Sequence, residues 1–186
     1  MTRTIDQHME RYLGPIARGW GSRVGESADV QVCLFEECPI PGTVTYATLG
    51  LSRHVLKMPQ GREVRQELLL SVSLRFADEN RARLLAHIAD NLVHDHQALL
   101  RGEVFHLGFA VAPGSPCTGL YIALPVVFPD ALATYPETQP PTVFPWLIPV
   151  HRNEAALVAR LGWDAFEDRL EHADPDLFDL TRPSIA

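Results

Sequence analysis

The feature that most constrains the fold is one long segment with helical periodicity, which has strand-like segments before and after it. This predicted helix begins after Asp78, a good N-cap residue, and runs to about Leu100, before Gly102. Its apolar residues recur at about 100° per residue, so they form a stripe that must be buried against another layer. The stripe consists of Leu85, Ile88, Leu92 and Leu99.

The strand-like segments alternate in polarity or are rich in β-branched residues, as expected of a sheet. Strands are predicted at 28–35, 43–49, 67–76, 104–111, 119–128 and 146–150. Shorter helices are predicted at 5–13, where Thr4 and Gln7 have capping-box spacing, and at 153–161 and 163–172, where Gly162 separates the two.

The order of these elements predicts the fold class. Helix, strands, one long helix, strands and terminal helices follow each other without regular β-α alternation, which argues against a doubly wound nucleotide fold. We predict an α+β fold whose mainly antiparallel or mixed sheet packs against the long helix and short terminal helices. Segment 129–145 contains five prolines and is predicted to be a rigid irregular connection, and 173–186 a loop-like tail. At 186 residues we expect one domain spanning 1–186.

Charge and composition exclude some partners and locations. Sixteen Lys and Arg against 23 Asp and Glu give a net charge of -7, which argues against nucleic acid or an anionic membrane as the main partner. Segment 1–6 lacks the apolar core of a secretory signal, and the apolar run 120–128 is interrupted by Pro125 and is too short for a membrane helix. Cys33, Cys38 and Cys117 form no CxxC motif and are predicted to be reduced thiols of a cytoplasmic protein.

The histidines of the long helix do not have metal-ligand spacing. His87 and His94 are seven residues apart, or about 10.5 Å along the helix axis, which is too far for both to bind one ion. Asp90 and His94 are four residues apart, but no third ligand is evident, and Asp95 adds none. We predict no metal site and no cofactor, and we expect His96 to be a buried neutral imidazole near the apolar stripe.

No catalytic motif is present, and no catalytic residue is predicted. Segment 114–119 has glycines at both ends, but Leu120 and Tyr121 follow where a phosphate loop needs Lys and Ser or Thr. Ser115 is not in a GxSxG motif, and Cys117 is predicted to be a structural thiol. Scattered carboxylates include a group at helical spacing that is predicted to be a solvated face. That group consists of Asp164, Glu167, Asp168 and Glu171.

Three groups of segments, in order, carry a resemblance to a known family. The first is a β-branched strand and turn followed by an E-L-L strand; the second is a Pro-Gly-Ser turn and an apolar strand after the long helix; the third is a strand, a Glu and a Gly-containing helix start. The first group spans 43–52 and 66–69, the second Gly108, 113–115 and 120–125, and the third 146–150, Glu154 and 162–166. Over residues 28–172 the chain resembles the suppressor-of-fused domain family.

The residues that carry the resemblance have structural explanations of their own. Gly50 follows a β-branched run and suits a positive φ or a close backbone approach. Glu154 lies near a predicted helix N-terminus, where the helix dipole favours a carboxylate. Gly162 is predicted to end one helix before the next begins.

The resemblance implies a binding module without catalysis. Animal relatives hold a zinc-finger transcription factor of the Hedgehog pathway, and short bacterial members resemble immunity proteins that neutralise a cognate toxin. This chain has the short bacterial size, so we expect a protein partner, with a toxin domain as the leading candidate; the oligomeric state is left open. An acidic surface is consistent with steering towards a basic toxin.

Two alternatives remain open at this point. One is a small hydrolase-like enzyme whose cleft is built from His106, Ser115 and Cys117 or from the helix histidines. The other is a regulatory scaffold that binds a peptide along an exposed strand edge. Converging histidine and carboxylate groups in a pocket would favour the enzyme, whereas an open groove lined by apolar and acidic side chains would favour binding.

Overall fold

A seven-stranded mixed sheet is the centre of the fold in a computed structural model that describes residues 4–21 and 30–186. The four helices in these ranges are α1 (Ile5–Leu13), α2 (Glu79–Asp95), α3 (Arg152–Leu161) and α4 (Trp163–Ala173). The strands are β1 (Arg18–Trp20), β2 (Gln31–Glu36), β3 (Thr43–Leu49), β4 (Leu56–Lys57), β5 (Glu63–Gln66), β6 (Leu69–Ser73), β7 (Val104–His106), β8 (Cys117–Ala123), β9 (Thr134–Tyr135), β10 (Thr142–Val143) and β11 (Trp146–His151). The predicted α+β class is therefore confirmed.

Both sheets of the fold are mixed. The large sheet has the order β1-β2-β3-β6-β11-β8-β7, and only the β6–β11 pair, where Trp146 is opposite Leu69, is parallel. The small sheet has the order β4-β5-β10-β9, with β5 and β10 parallel. Strand β11 thus lies in the middle of the large sheet, between β6 and β8, and its first residue, Trp146, is also paired with Ala123 at the end of β8.

The large sheet is covered on both faces, which explains why its central strands are almost continuously apolar. Alternate residues along each strand contribute to two separate cores because successive side chains point to opposite faces. The first core joins the sheet to α2 and includes Tyr46, Leu70, Ile122, Leu85 and Ile88. The second joins it to α1, α3 and α4 and includes Met9, Phe35, Tyr121, Ile148, Leu157 and Phe166.

The end of the long helix differs from the prediction. Helix α2 ends at Asp95 because His96 adopts a left-handed conformation (φ 54°), and the chain then runs along β4, where Lys57 N donates to His96 O over 2.9 Å. His96 is exposed, so the expectation of a buried imidazole was wrong. Leu99 lies beyond the helix but is buried in the same core as the α2 stripe, and the Gln66 side chain binds its backbone N–H (3.0 Å) and C=O (2.8 Å).

Several predicted strands were too long. The segment 67–76 contains β6 followed by a 3-10 turn at Leu74–Phe76, 104–111 shortens to β7, and 119–128 is replaced by β8, which begins two residues earlier and ends at Ala123. The proline-rich segment 129–145 is not wholly irregular, because β9 and β10 pair within it. The first two residues of the predicted strand 28–35, and residues 1–3, lie outside the described residues.

Segment 174–186 contains no helix or strand, as expected for a tail, but it packs on the body of the fold through Leu180 and Arg182, both of which are buried. Ser73 N donates to Phe178 O over 2.8 Å, so this segment is attached to the end of β6. None of the helices in residues 4–21 and 30–186 has the length and apolarity needed to cross a bilayer.

Candidate interaction surface

A recessed surface lies where α4 and the segment after it meet the ends of β8 and β11. It consists of two adjoining cavities of about 460 Å³ each, which share Trp146, Asp174, Pro175 and Leu177. We call it the Trp146 groove. Its floor contains Tyr121, Trp146 and Ile148, one wall is formed by the loop 124–127, and the other by the second half of α4 and by 174–178.

Proline residues set both walls of the Trp146 groove. Pro125 ends strand β8, and two turn hydrogen bonds, Val126 N to Leu124 O (2.8 Å) and Phe128 N to Pro125 O (3.0 Å), fold the loop back. Val126 is left 74% exposed at the tip, while the buried Phe128 anchors the loop beneath. On the other wall, α4 ends at a left-handed Asp174, and Pro175 follows directly.

The rim of the groove concentrates exposed apolar side chains. Of the eight large apolar side chains that are exposed in the described ranges, four line this groove. They are Ile40, Leu124, Val126 and Val127. Scattered single apolar residues need no explanation, but a cluster around a recess is typical of a binding surface.

Trp146 is the central residue of the groove. It is 2% exposed, and its ring is held between Phe128 (centroids 6.3 Å apart) and Phe178 (6.2 Å). Its indole Nε1–H is buried and has no hydrogen-bond acceptor among the described residues. Buried indole N–H groups normally have an acceptor, so this donor is unusual.

A polar cluster lies at the end of the groove nearest β8. Tyr121 Oη donates to Glu167 Oε1 over 2.7 Å, and Arg101 donates to the same carboxylate through Nε (3.2 Å) and Nη2. The Arg101 guanidinium also lies 4.2 Å from the centroid of the Trp163 ring. Burial alone would raise the pKa of Glu167, but the hydrogen bonds from Arg101 and Tyr121 lower it below its usual value.

The prediction of a solvated carboxylate face on α4 was therefore wrong for Glu167, whose partners come from distant parts of the sequence. It holds for Asp164, Asp168 and Glu171, which are exposed. Two of the four carboxylates that line the groove, Glu167 and Glu171, come from this helix, and Asp174 and Asp176 follow it. Arg101 is the one cationic side chain that lines these two cavities, and Glu167 already neutralises it.

The residues proposed for a hydrolase cleft are not brought together around a nucleophile. Ser115 is buried; its hydroxyl donates to Leu180 O (2.5 Å) and accepts from Cys117 N (3.1 Å), which is a structural role. Burial raises the pKa of the Cys117 thiol, which disfavours the reactive thiolate. His106 is exposed on β7 opposite Gly119.

The histidines of α2 are also separate from the groove. His87 and His94 are exposed, and the contact described for His87 is with Asn91 at 3.5 Å. Within residues 4–21 and 30–186, no group of three or more His, Cys, Asp and Glu side chains has the arrangement of a metal site. The prediction that these residues form no metal centre stays a prediction.

Two buried carboxylates have structural roles that the sequence analysis only partly indicated. Glu67, the acid of the E-L-L strand, is fully buried and binds the turn at 50–52: its oxygens accept from Thr48 Oγ1 (2.5 Å), Gly50 N (2.8 Å) and Ser52 N (3.0 Å). Burial raises the pKa of Glu67, although these hydrogen bonds oppose the shift. The predicted positive φ of Gly50 is confirmed at 114°.

The second buried carboxylate is Glu154, which lies at the N-terminus of α3 as predicted. It accepts a hydrogen bond from the backbone of His151, the N-cap residue (2.8 Å). Its other partner, Arg182, has no signal in the local sequence. The Nη1 and Nη2 atoms of Arg182 donate to the two carboxylate oxygens over 2.6 and 2.7 Å. This ion pair is buried and attaches the C-terminal segment to α3.

The two-faced mixed sheet and its recessed apolar surface define an α+β module suited to binding another protein. The family model described as Suppressor of fused protein (SUFU) matches residues 26–183. The chain belongs to the suppressor of fused family. The resemblance inferred from the three groups of segments is thereby confirmed.

Comparisons with individual proteins agree with this assignment. The chain is 21% identical over 172 residues to the immunity protein YqcF of Bacillus subtilis (strain 168), covering 91% of this chain and 88% of the relative. A structure of a SUFU homolog from Neisseria gonorrhoeae FA 1090 has a TM-score of 0.79 and 19% identity, with 98% of this chain and 94% of that chain covered.

Two further structures share the fold. A chain from the Sufu-Fu complex gives a TM-score of 0.72 at 13% identity, covering 97% of this chain and 90% of that chain. Drosophila Suppressor of Fused gives 0.65 at 14% identity, with 83% of this chain but only 42% of the Drosophila chain covered. At such identities these structures show a common fold and nothing more specific.

Proposed function

We propose that this chain is a non-catalytic, single-domain protein-binding module that acts as an immunity protein, neutralising a cognate toxin by binding it. The observation that carries the proposal is the Trp146 groove, a recess with apolar and acidic lining on a member of the suppressor of fused family. The similarity to an immunity protein over 91% of the chain supports the toxin as partner. The Sufu-Fu complex shows that a protein of this fold has a protein partner.

The arrangement of the ionisable groups supports binding over hydrolysis. The buried carboxylates Glu67 and Glu154 are occupied by backbone N–H groups, Thr48 and Arg182, and Ser115 is hydrogen-bonded to backbone. A hydrolase needs a nucleophile within reach of a base, and neither Ser115 nor Cys117 has a histidine or carboxylate among the hydrogen-bond partners described for it. We therefore favour the binding function over the hydrolase alternative.

We place this function in the cytosol. Three free cysteines, all buried, support a reducing compartment, because disulfides form preferentially in oxidising ones. The net charge of -7 supports a protein partner rather than nucleic acid or an anionic membrane, and it would accelerate association with a basic toxin.

The test is co-expression with the polypeptide encoded by the adjacent reading frame. We expect that polypeptide to stop growth of a test host when expressed alone, and this chain to restore growth and co-purify with it. The function is rejected if the purified neighbour neither binds this chain nor is neutralised by it. Turnover of a small substrate by the purified chain, lost on Ser115→Ala or Cys117→Ala, would instead establish the hydrolase alternative.

A further inference from the structure

The Trp146 groove has a chemistry that specifies what it can receive. Its rim carries the exposed apolar side chains Leu124, Val126 and Val127. Binding of an apolar group there would remove apolar surface of both the groove and the bound group from water. Each of its two cavities has a volume of about 460 Å³, which is large enough to hold large side chains.

The charge of the groove limits the partner further. Glu171, Asp174 and Asp176 are exposed on one wall, and the single lining cation, Arg101, is neutralised by Glu167. The C-terminal end of α4, at Ala173, adds the negative end of a helix dipole on the same side. A partner segment with Lys or Arg residues complements this wall, whereas an acidic segment is repelled.

The floor of the groove is aromatic. Trp146 lines both cavities and is packed against Phe128 and Phe178. An apolar side chain in the recess therefore meets an aromatic surface.

We propose that the Trp146 groove binds a basic, apolar segment of the partner protein. One or two large apolar side chains lie against Trp146 between the loop 124–127 and Pro175. Flanking Lys or Arg residues pair with Glu171, Asp174 and Asp176. The inference deepens the proposed function, on which it rests, by assigning the surface and the chemistry of the partner.

The experiment selects random linear peptides, displayed on phage, against the intact protein and measures the dissociation constants of the enriched peptides. We expect enriched peptides to combine a large apolar residue with Lys or Arg, and their binding to weaken as salt is raised. Val126→Asp and Glu171→Lys, both at exposed positions, should each weaken binding by about tenfold or more.

Matched controls place the same chemical changes elsewhere on the surface. Phe109→Asp introduces a charge at an exposed apolar residue outside the groove, and Glu137→Lys reverses an exposed acid outside it. Both should bind like the wild type.

Each other outcome overturns the inference without deciding the proposed function. No enrichment, enrichment of acidic peptides, or binding that the groove variants do not weaken would each show that this surface does not receive such a segment. A wild-type dimer that Val126→Asp converts to a monomer in sedimentation would show that a second copy occupies the groove. Neutralisation of the toxin is measured separately, so it can succeed when the groove proposal fails.

Discussion

Gly102 lies against the ring of Trp163 so closely that no other residue fits there. A Cβ atom on Gly102 would be 2.6 Å from Trp163 Cγ, and the residue has a positive φ of +90°. Trp163 is the first residue of α4, and the guanidinium of Arg101, the residue before Gly102, lies over the same ring. This contact fixes the helix that forms one side of the Trp146 groove.

Replacing Gly102 by alanine should therefore destabilise the fold by more than the cost of placing alanine at a positive φ. The control is Gly114→Ala, which has a similar φ of +78° but no atom within 4 Å of the added Cβ. We expect the free energy of unfolding to fall by at least about 1 kcal/mol more for Gly102→Ala, the lower end of the range for overpacking. Equal losses in urea denaturation would contradict the role of the Trp163 contact.

The buried ion pair between Glu154 and Arg182 should matter far more than an exposed one. Arg182→Met leaves the Glu154 carboxylate buried without its cation, which should cost about 3–5 kcal/mol of unfolding free energy. Arg83→Met breaks the exposed Arg83–Glu79 pair on α2 and should cost at most about 1 kcal/mol. Urea denaturation of both variants gives the comparison, and a similar loss for the two would refute it.

Acid should weaken the fold through the same ion pair. Burial alone would raise the pKa of Glu154, but the hydrogen bonds from Arg182 and the backbone lower it below its usual value of about 4.5. The unfolded chain therefore binds the proton more tightly than the folded one. The stabilisation is complete above the unfolded pKa and is lost as the pH falls through the lowered folded pKa.

The measurement is urea denaturation from neutral pH to about pH 3. The double variant Glu154→Gln with Arg182→Met lacks the titrating carboxylate, so its unfolding free energy should fall less steeply with acid than that of the wild type. The matched control, Glu79→Gln with Arg83→Met, changes a solvent-exposed pair and should keep the wild-type slope. An unchanged slope in the first double variant would exclude Glu154 as a source of acid sensitivity.

The three cysteines should be protected from alkylation in the native protein. Burial, with a smaller contribution from Glu67, raises the pKa of Cys33 to about 11, and burial also raises the pKa of Cys38 and Cys117. Because the thiolate is the reactive form, iodoacetamide at neutral pH should modify them slowly in buffer and fast in urea, as followed by mass spectrometry. Thr134→Cys adds an exposed thiol that should react fast in both. A native rate matching that of the added thiol would disprove the protection.

The α2 prediction shows how far periodicity alone can be trusted. Leu85, Ile88 and Leu92 were correctly placed on one buried stripe, since their spacing reflects a local, repeating geometry. Leu99 is buried in the same core but lies outside the helix, where the Gln66 side chain, 33 residues earlier, binds its backbone N–H and C=O. Such a partner leaves no periodic signal near Leu99.

The candidate site shows the same difference between local and long-range features. Tyr121 and Trp146 were predicted in strands, which is where they lie, but their meeting with Glu167 and the loop 124–127 depends on the pairing of β8 with β11 and on the position of α4. The single indicator in the sequence was Pro125, which interrupts an apolar run and makes a turn there.

The sequence by itself determined the α+β class, the main strand segments, most helix starts and the family resemblance, because capping, periodicity and glycine positions act over a few neighbouring residues. Only the tertiary structure decided which carboxylates are buried and where apolar side chains gather at the surface. Glu154 meets Arg182 across 28 residues and Glu167 meets Arg101 across 66. Contacts over such separations follow from strand order and helix packing, which no local pattern encodes.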